Sequence, residues 1–141
     1  EVNLVAPILL STSFLRLTET ISCEKRIVNI SSGAGKNPYF GWSHYCTSKA
    51  GLDMFTKTVA LEQLEDERVK AVSIAPGVVD TQMQETTRSR NESDFIHVER
   101  FRKLKEEGKL LSPEESASFI IRIMKEDSYP SGAILDVRDL V

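Results

Sequence analysis

The chain is predicted to adopt an α/β fold, a doubly wound parallel sheet with helices on its faces, and three features carry that expectation. Two short β-branched runs, RIVNIS at 26–31 and VKAVSIA at 69–75, each stop at loop formers, Ser32-Gly33 and Pro76-Gly77. The runs are apolar without strict alternation, as strands covered on both faces require. Between them, 43–63 takes up a helical period, so strand and helix alternate, and that order calls for a parallel sheet with helical crossovers.

The elements follow in order. Residues 1–20 carry Val2, Leu4, Val5, Ile8, Leu9, Phe14, Leu15 and Leu17 almost all round the helical wheel, so this helix needs cover on more than one side. The first strand leads into a loop holding Gly33 and Gly35, and the second helix and second strand come next. The stretch 82–109 is polar and mixed in charge, with helical spacing only at Phe101 and Leu104, and reads as a long connection with one or two short helices. Ser112, Pro113 and Glu115 form a capping box with a first-turn proline, opening a helix to about Lys125. AILDV at 133–137 supplies a last strand, so about three strands with flanking helices are expected.

Composition narrows the function classes. With 40% hydrophobic and 28% charged residues, 141 residues suit one soluble globular domain. A net charge of -3 without a basic stripe argues against nucleic acid and anionic lipid as partners. The apolar run at 5–10 stops at Ser11, short of the roughly 20 residues of a membrane span, and there is no visible export signal, so a cytoplasmic location is the default expectation. Cys23, Cys46, His44 and His97 lack metal-ligand spacing, and no metal is expected. Residue 1 is Glu and the chain begins inside what reads as an apolar helix, which suggests a piece of a longer protein.

Chemistry is expected where parallel strands end, since ligands of such sheets sit beyond their carboxyl ends. Tyr45 and Lys49 lie four apart in YCTSK and share a helix stripe with Leu52, Thr56 and Val59. A free tyrosine titrates near about 10 and is a weak acid at neutral pH. An ammonium about 4 Å from its oxygen would favour the phenolate by roughly 4 kcal/mol at an effective dielectric of about 20, before desolvation opposes it. Such a pair also occurs on ordinary helix surfaces, where both side chains snorkel. Ser32, thirteen residues before Tyr45 at a strand end, makes the constellation rarer, although a serine there can simply cap a turn. The glycine loop GAGKN at 33–37 satisfies neither phosphate-loop nor dinucleotide spacing.

The segments VNL at 2–4, IVNISSGAG at 27–35, YCTSK at 45–49 and PGVVDTQM at 76–83 together resemble the catalytic half of the short-chain dehydrogenase/reductase family. The resemblance implies a Rossmann-like fold, here a partial domain over 1–141, with the dinucleotide-binding half, bearing the family's glycine-rich turn, expected upstream. Within the family, GWSHYCTSKAGLDMF, KEEGKLLSPEESA and SGAILDVRD are similar to sepiapterin reductases and to bacterial reductases of vicinal diketones such as benzil.

Carried over, the resemblance makes Tyr45 the proton donor, Ser32 the hydroxyl that orients the carbonyl, and Lys49 the group that lowers the tyrosine pKa and binds the nicotinamide ribose. Asn3 would hold a water connecting Lys49 to solvent. Pro76, Gly77, Val79 and Thr81 would grip the nicotinamide carboxamide, Val79 through its main chain. Asp136 matches the carboxylate that anchors a pterin ring. Trp42, with Tyr39, would stack on an aromatic substrate or pack against its own loop. Residues 82–111 would form a substrate lid. The implied activity is NADP-dependent (NADPH) reduction of a ketone or vicinal dicarbonyl. The implied assembly is a homodimer through the helices at 1–20 and 43–63, because the second of these also carries Ala50, Met54 and Leu61 opposite the catalytic stripe. Two alternatives stay open: a catalytically incompetent fragment that serves only association, and a dehydrogenase of a small hydroxyacid or sugar alcohol.

Overall fold

A computed structural model describes residues 1–126 and 128–140. Three parallel strands, β1 (Lys25–Ile30), β2 (Val69–Ala75) and β3 (Ile134–Asp136), form one sheet in the order β1-β2-β3. The expected α/β parallel architecture is therefore present. Helices α1 (Val5–Leu17) and α2 (Ser43–Glu62) precede β2, while α3 (Gln82–Arg88), α4 (Val98–Glu106) and α5 (Pro113–Glu126) lie between β2 and β3.

Alternation along the strands assigns the layers. Ile27 and Ala71 point to one face and pack with Val59 of α2, Phe55 and Leu15 of α1. Val28, Val72 and Ile74 point to the other and pack with Ile123, Phe119 and Ile120 of α5, together with Tyr129 and Val137. Successive residues of a strand face opposite ways, so each strand feeds two cores at once. Burying one such aliphatic side chain is worth about 1.5–3 kcal/mol, which explains why the middle strand, apolar on both sides, is the least exposed element.

The α2 side of the sheet is not purely apolar. Asn29 donates from Nδ2 to Thr56 Oγ1 at 2.9 Å, and Thr56 Oγ1 donates to the Leu52 carbonyl at 2.9 Å. Both side chains are buried, where an unpaired amide or hydroxyl would be costly, so each supplies the other's missing partner.

Several boundaries shift from expectation. The first helix starts at Val5 rather than at residue 1, because 1–4 form a turn whose Glu1 carbonyl accepts from the amides of Leu4 and Ala6. β3 is shorter than 133–137: Val137 opens a 3-10 turn to Leu140. The capping box closes as expected, Ser112 N donating to Glu115 Oε2 at 2.8 Å and Glu115 N to Ser112 Oγ at 3.1 Å. The polar stretch after β2 holds two helices, α3 and α4.

Candidate active site

Ser32 leaves β1 in an extended conformation (φ -161°, ψ 154°) and caps the 3-10 turn Gly33–Gly35, its Oγ accepting from Ala34 N at 3.2 Å. The capping role that a serine in this position can play is thus real. It does not exhaust the hydroxyl, which accepts the amide and keeps its own proton to donate. The turn packs closely on α2: a Cβ on Gly35 would come 2.6 Å from Asp53 Oδ2 and 3.1 Å from the Lys49 carbonyl carbon. That contact sets Ser32 against the first turns of α2.

Tyr45 and Lys49 stand on those first turns. The Lys49 ammonium donates to the carbonyl of Ile30, the last residue of β1, at 2.8 Å, and lies 5.9 Å from the centroid of the Tyr45 ring. One cation thus bridges strand end and phenol. Partial burial lowers the Lys49 pKa from its ordinary value, and the charge of Asp53 works against that shift. Asn3, in the turn before α1, lines a cleft with Lys49, Asn29, Ile30 and Leu52.

The turn after β2 is built for main-chain presentation. Gly77 has φ +79°, and a Cβ there would sit 3.0 Å from Leu111 Cδ1 and 3.1 Å from Val137 Cγ2, so backbone geometry and space both call for glycine. Pro76 is tied to α5 through its carbonyl, which accepts from Ser116 Oγ at 2.8 Å. Val79 pairs in register with Leu111, but the bonds are made by its neighbours: Leu111 N donates to Val78 O at 3.0 Å and Asp80 N to Leu111 O at 2.8 Å. By strand alternation, the N–H and C=O of Val79 point the opposite way. Thr81 stands at the N-cap of α3 without using its side chain to cap it. The set offers a main-chain donor and acceptor and a hydroxyl in one turn, which suits a carboxamide.

At the far end, Asp136 closes β3 and is buried. Its carboxylate accepts from Arg138 N at 3.0 Å and Nε at 2.9 Å, and from Nη2. Burial would raise its pKa, but the bonds from Arg138 outweigh that and hold it below the usual carboxylate value. The same guanidinium reaches the first glycine of the 3-10 turn, with Nη2 3.1 Å from where a Gly33 Cβ would be. Asp136 is therefore an ion-paired carboxylate beside the Ser32 turn rather than a solvated one.

Trp42 stacks on Phe95 with centroids 4.8 Å apart and planes 1° from parallel, and meets Tyr45 edge-on at 5.6 Å. The indole joins the loop before α2 to a cluster of Phe95, Val98 and Phe101 in the 82–111 stretch, with Tyr39 and Leu104 at its margin. Phe95 and Val98 escaped the sequence reading because Phe95 lies outside any helical period. Asp53 was also missed; its only signal, an acid at i+4 from Lys49, is commonplace on helices.

An ion-pair clasp ties 82–111 down. Asp80 pairs through Oδ1 with Arg88 of α3 at 3.0 Å and through Oδ2 with Lys105 of α4. The hydrogen bond from Lys105 is the largest influence on the Asp80 carboxyl; desolvation opposes it, and with the further bond from Arg88 the pKa is held below its ordinary value. A carboxylate depressed in the folded state contributes stability that is present above its unfolded pKa and lost as pH falls through the folded value. Limited proteolysis within α3 and α4 is therefore expected to accelerate on acidification below about pH 4, and in Asp80→Asn at neutral pH. Equal cleavage of Asp80→Asn and the parent would show that the clasp holds nothing.

The family model described as short chain dehydrogenase matches residues 1–92. The chain is 50% identical to a benzil reductase ((S)-benzoin forming) of Bacillus cereus over 97% of its own length and 55% of the relative's. It is 33% identical to sepiapterin reductase of Meriones unguiculatus over 97% of its length and 51% of the relative's. Among solved structures, the KRED1-Pglu enzyme superposes with a TM-score of 0.66 at 34% identity, covering 77% of this chain and 46% of that one. The chain thus spans about half the length of the curated relatives it matches. A family model that matches most of the chain, relatives that match nearly all of it, and a three-stranded parallel sheet have one common account: the chain belongs to the short-chain dehydrogenase family.

Proposed function

We propose that this chain carries the catalytic residues of an NADP-dependent carbonyl reductase acting on ketones or vicinal dicarbonyls of benzil or sepiapterin type. The observation that carries the reading is the placement of Lys49, anchored on the Ile30 carbonyl with its ammonium beside the Tyr45 ring. The substrate class is supported by the benzil and sepiapterin reductases among the relatives.

The turn at Pro76, Gly77, Val79 and Thr81 would hold the carboxamide of the nicotinamide, and Lys49 its ribose. The chemistry that a reduced nicotinamide supplies when bound there is a hydride to the carbonyl carbon. The remaining tasks fall to side chains of this chain. Ser32 donates its free proton to the substrate oxygen and orients it. As negative charge develops on that oxygen, Tyr45 transfers its phenolic proton, and the product alcohol forms. The phenolate left behind faces the Lys49 ammonium, which offsets its charge, and Asn3, in the same cleft, would hold the water through which protons return.

On the substrate side, the Asp136–Arg138 pair and the aromatic cluster around Trp42 flank the approach to Ser32, and 82–111 would serve as the lid. The exposed Leu9 and Leu17 of α1 and Met54 and Leu61 of α2 support a homodimer through these helices.

The test is NADPH oxidation by a protein containing this chain, with benzil, sepiapterin and a simple sugar ketone as substrates. Turnover of the dicarbonyls well above that of the sugar ketone is the expected result. Equal rates on all three would overturn the substrate class, and failure of NADPH to bind would overturn the reductase reading itself.

A further inference from the structure

We propose that Asp53 is a positioning residue, a buried carboxylate one helical turn beyond Lys49 that keeps the lysine charged at the strand end. Asp53 is 7% exposed and sits on the α2 face that meets the sheet. Its Oδ1 accepts from Ser73 Oγ of β2 at 2.6 Å, and Ser73 is itself fully buried. Its Oδ2 lies against Gly35, where even a methyl group would come within 2.6 Å. The carboxylate is thus clamped between β2 and the turn that Ser32 caps.

A charged group is taken out of water only where something compensates it. Asp53 has one neutral hydroxyl, and of the two cations four residues away along the helix Lys57 is exposed while Lys49 is partly removed from solvent and, among the bonds described, donates to the Ile30 carbonyl. Each charge answers the other's desolvation, and the Asp53 charge raises the Lys49 pKa against the effect of burial.

The surrounding elements offer no substitute for that carboxylate among the described residues. On α2 itself the facing titratable group is Tyr45. The 3-10 turn is followed by Lys36, whose Nζ goes to the Ile134 carbonyl. From β1, Arg26 lines the same cleft but directs its guanidinium to the Met124 carbonyl and Glu24. From β2, Lys70 lies over the Tyr129 ring, within the opposite core. From the turn before α1, the group against this part of α2 is Leu4, at Gly51.

The proposal rests on the reductase reading in that Lys49 is taken as the helper of Tyr45, so its test uses a readout that needs no turnover. In protein labelled with 13C at lysine Cε, the Lys49 resonance is assigned by its loss in Lys49→Arg, and its titration is followed by NMR. Asp53→Asn keeps the shape and the acceptor for Ser73 while removing the charge. It is expected to lower the titration midpoint of Lys49 by at least about half a unit, a threefold loss of proton affinity. Thr56→Val, which removes a neighbouring buried polar group without changing charge, is expected to leave that midpoint in place. Should Asp53→Asn fail to fold, Asp53→Ser carries the same expectation. In active reductase, the alkaline limb of kcat/KM against pH should move to lower pH in Asp53→Asn by the same amount as the NMR midpoint. An unmoved Lys49 midpoint in the folded variant overturns the proposal whether or not the protein is a reductase, and a shifted midpoint in a protein without NADPH turnover overturns only the reductase reading.

Discussion

A reductase built on this chain is expected to lose about 10³-fold in kcat when Tyr45 is replaced by Phe, with little change in its affinity for NADPH or in its melting curve. The reasoning begins with what the substitution spares. The ring keeps its edge contact with Trp42 and its place beside the Lys49 ammonium, so the helix start and the aromatic cluster lose only a hydroxyl. What disappears is the proton that the nascent alkoxide must receive. Ser32 cannot replace it, because a serine hydroxyl is a far weaker acid than a phenol. Stopped-flow measurement of NADPH oxidation at saturating substrate separates the chemical step from binding. Turnover within tenfold of the parent would remove Tyr45 from the role of acid.

The second large effect is expected at a residue that touches no reactant. Gly35→Ala places a Cβ 2.6 Å from Asp53 Oδ2 and 3.1 and 3.2 Å from the backbone carbon and oxygen of Lys49. The Asp53 carboxylate is held by Ser73 and cannot swing aside, and a helix backbone yields even less. The 3-10 turn must therefore lift away from α2, at a cost of about 1–3 kcal/mol of stability in urea denaturation, as overpacking generally incurs. Ser32 caps that turn and moves with it. Displacement of a reacting group by roughly 1 Å can cost on the order of 10²-fold in rate, so kcat should fall by about that much. Gly33→Ala is the control: its Cβ would meet only Arg138 Nη2, at 3.1 Å, the far end of a flexible side chain. If the two variants behaved alike, the close approach at Gly35 would not be what places Ser32.

Much of this was legible before any coordinates. β1, β2 and α2 were readable because their apolar periods are long and their ends are marked by Gly, Pro and Ser, local signals that tertiary packing then reinforced. The capping box was readable because Ser112 and Glu115 satisfy each other without help from the rest of the fold. The aromatic cluster was not, since Trp42 and Phe95 are 53 positions apart and meet only after α3 and α4 fold back. Asp136 read, through the resemblance, as a ligand anchor; its bond to Arg138 was not legible, because it depends on where β3 ends and the following 3-10 turn begins. Lys49 and Tyr45 were visible as a pair four apart; that the ammonium rests on the Ile30 carbonyl needed the third dimension.

The hydrogen bonds that cross from the sheet to α2, Asn29 to Thr56 and Ser73 to Asp53, act on that helix as dowels act on a joint. Greasy surfaces tolerate creep, because a small rotation or slide exchanges one contact for another of similar worth. Two directional bonds from neighbouring strands, Asn29 standing opposite Ser73 in the ladder, allow one azimuth and one height. Replacing both pairs with matched aliphatic residues would therefore be expected to keep or even raise the resistance to unfolding while letting Tyr45 and Lys49 wander from their mark, so that the protein would hold its shape and lose its aim.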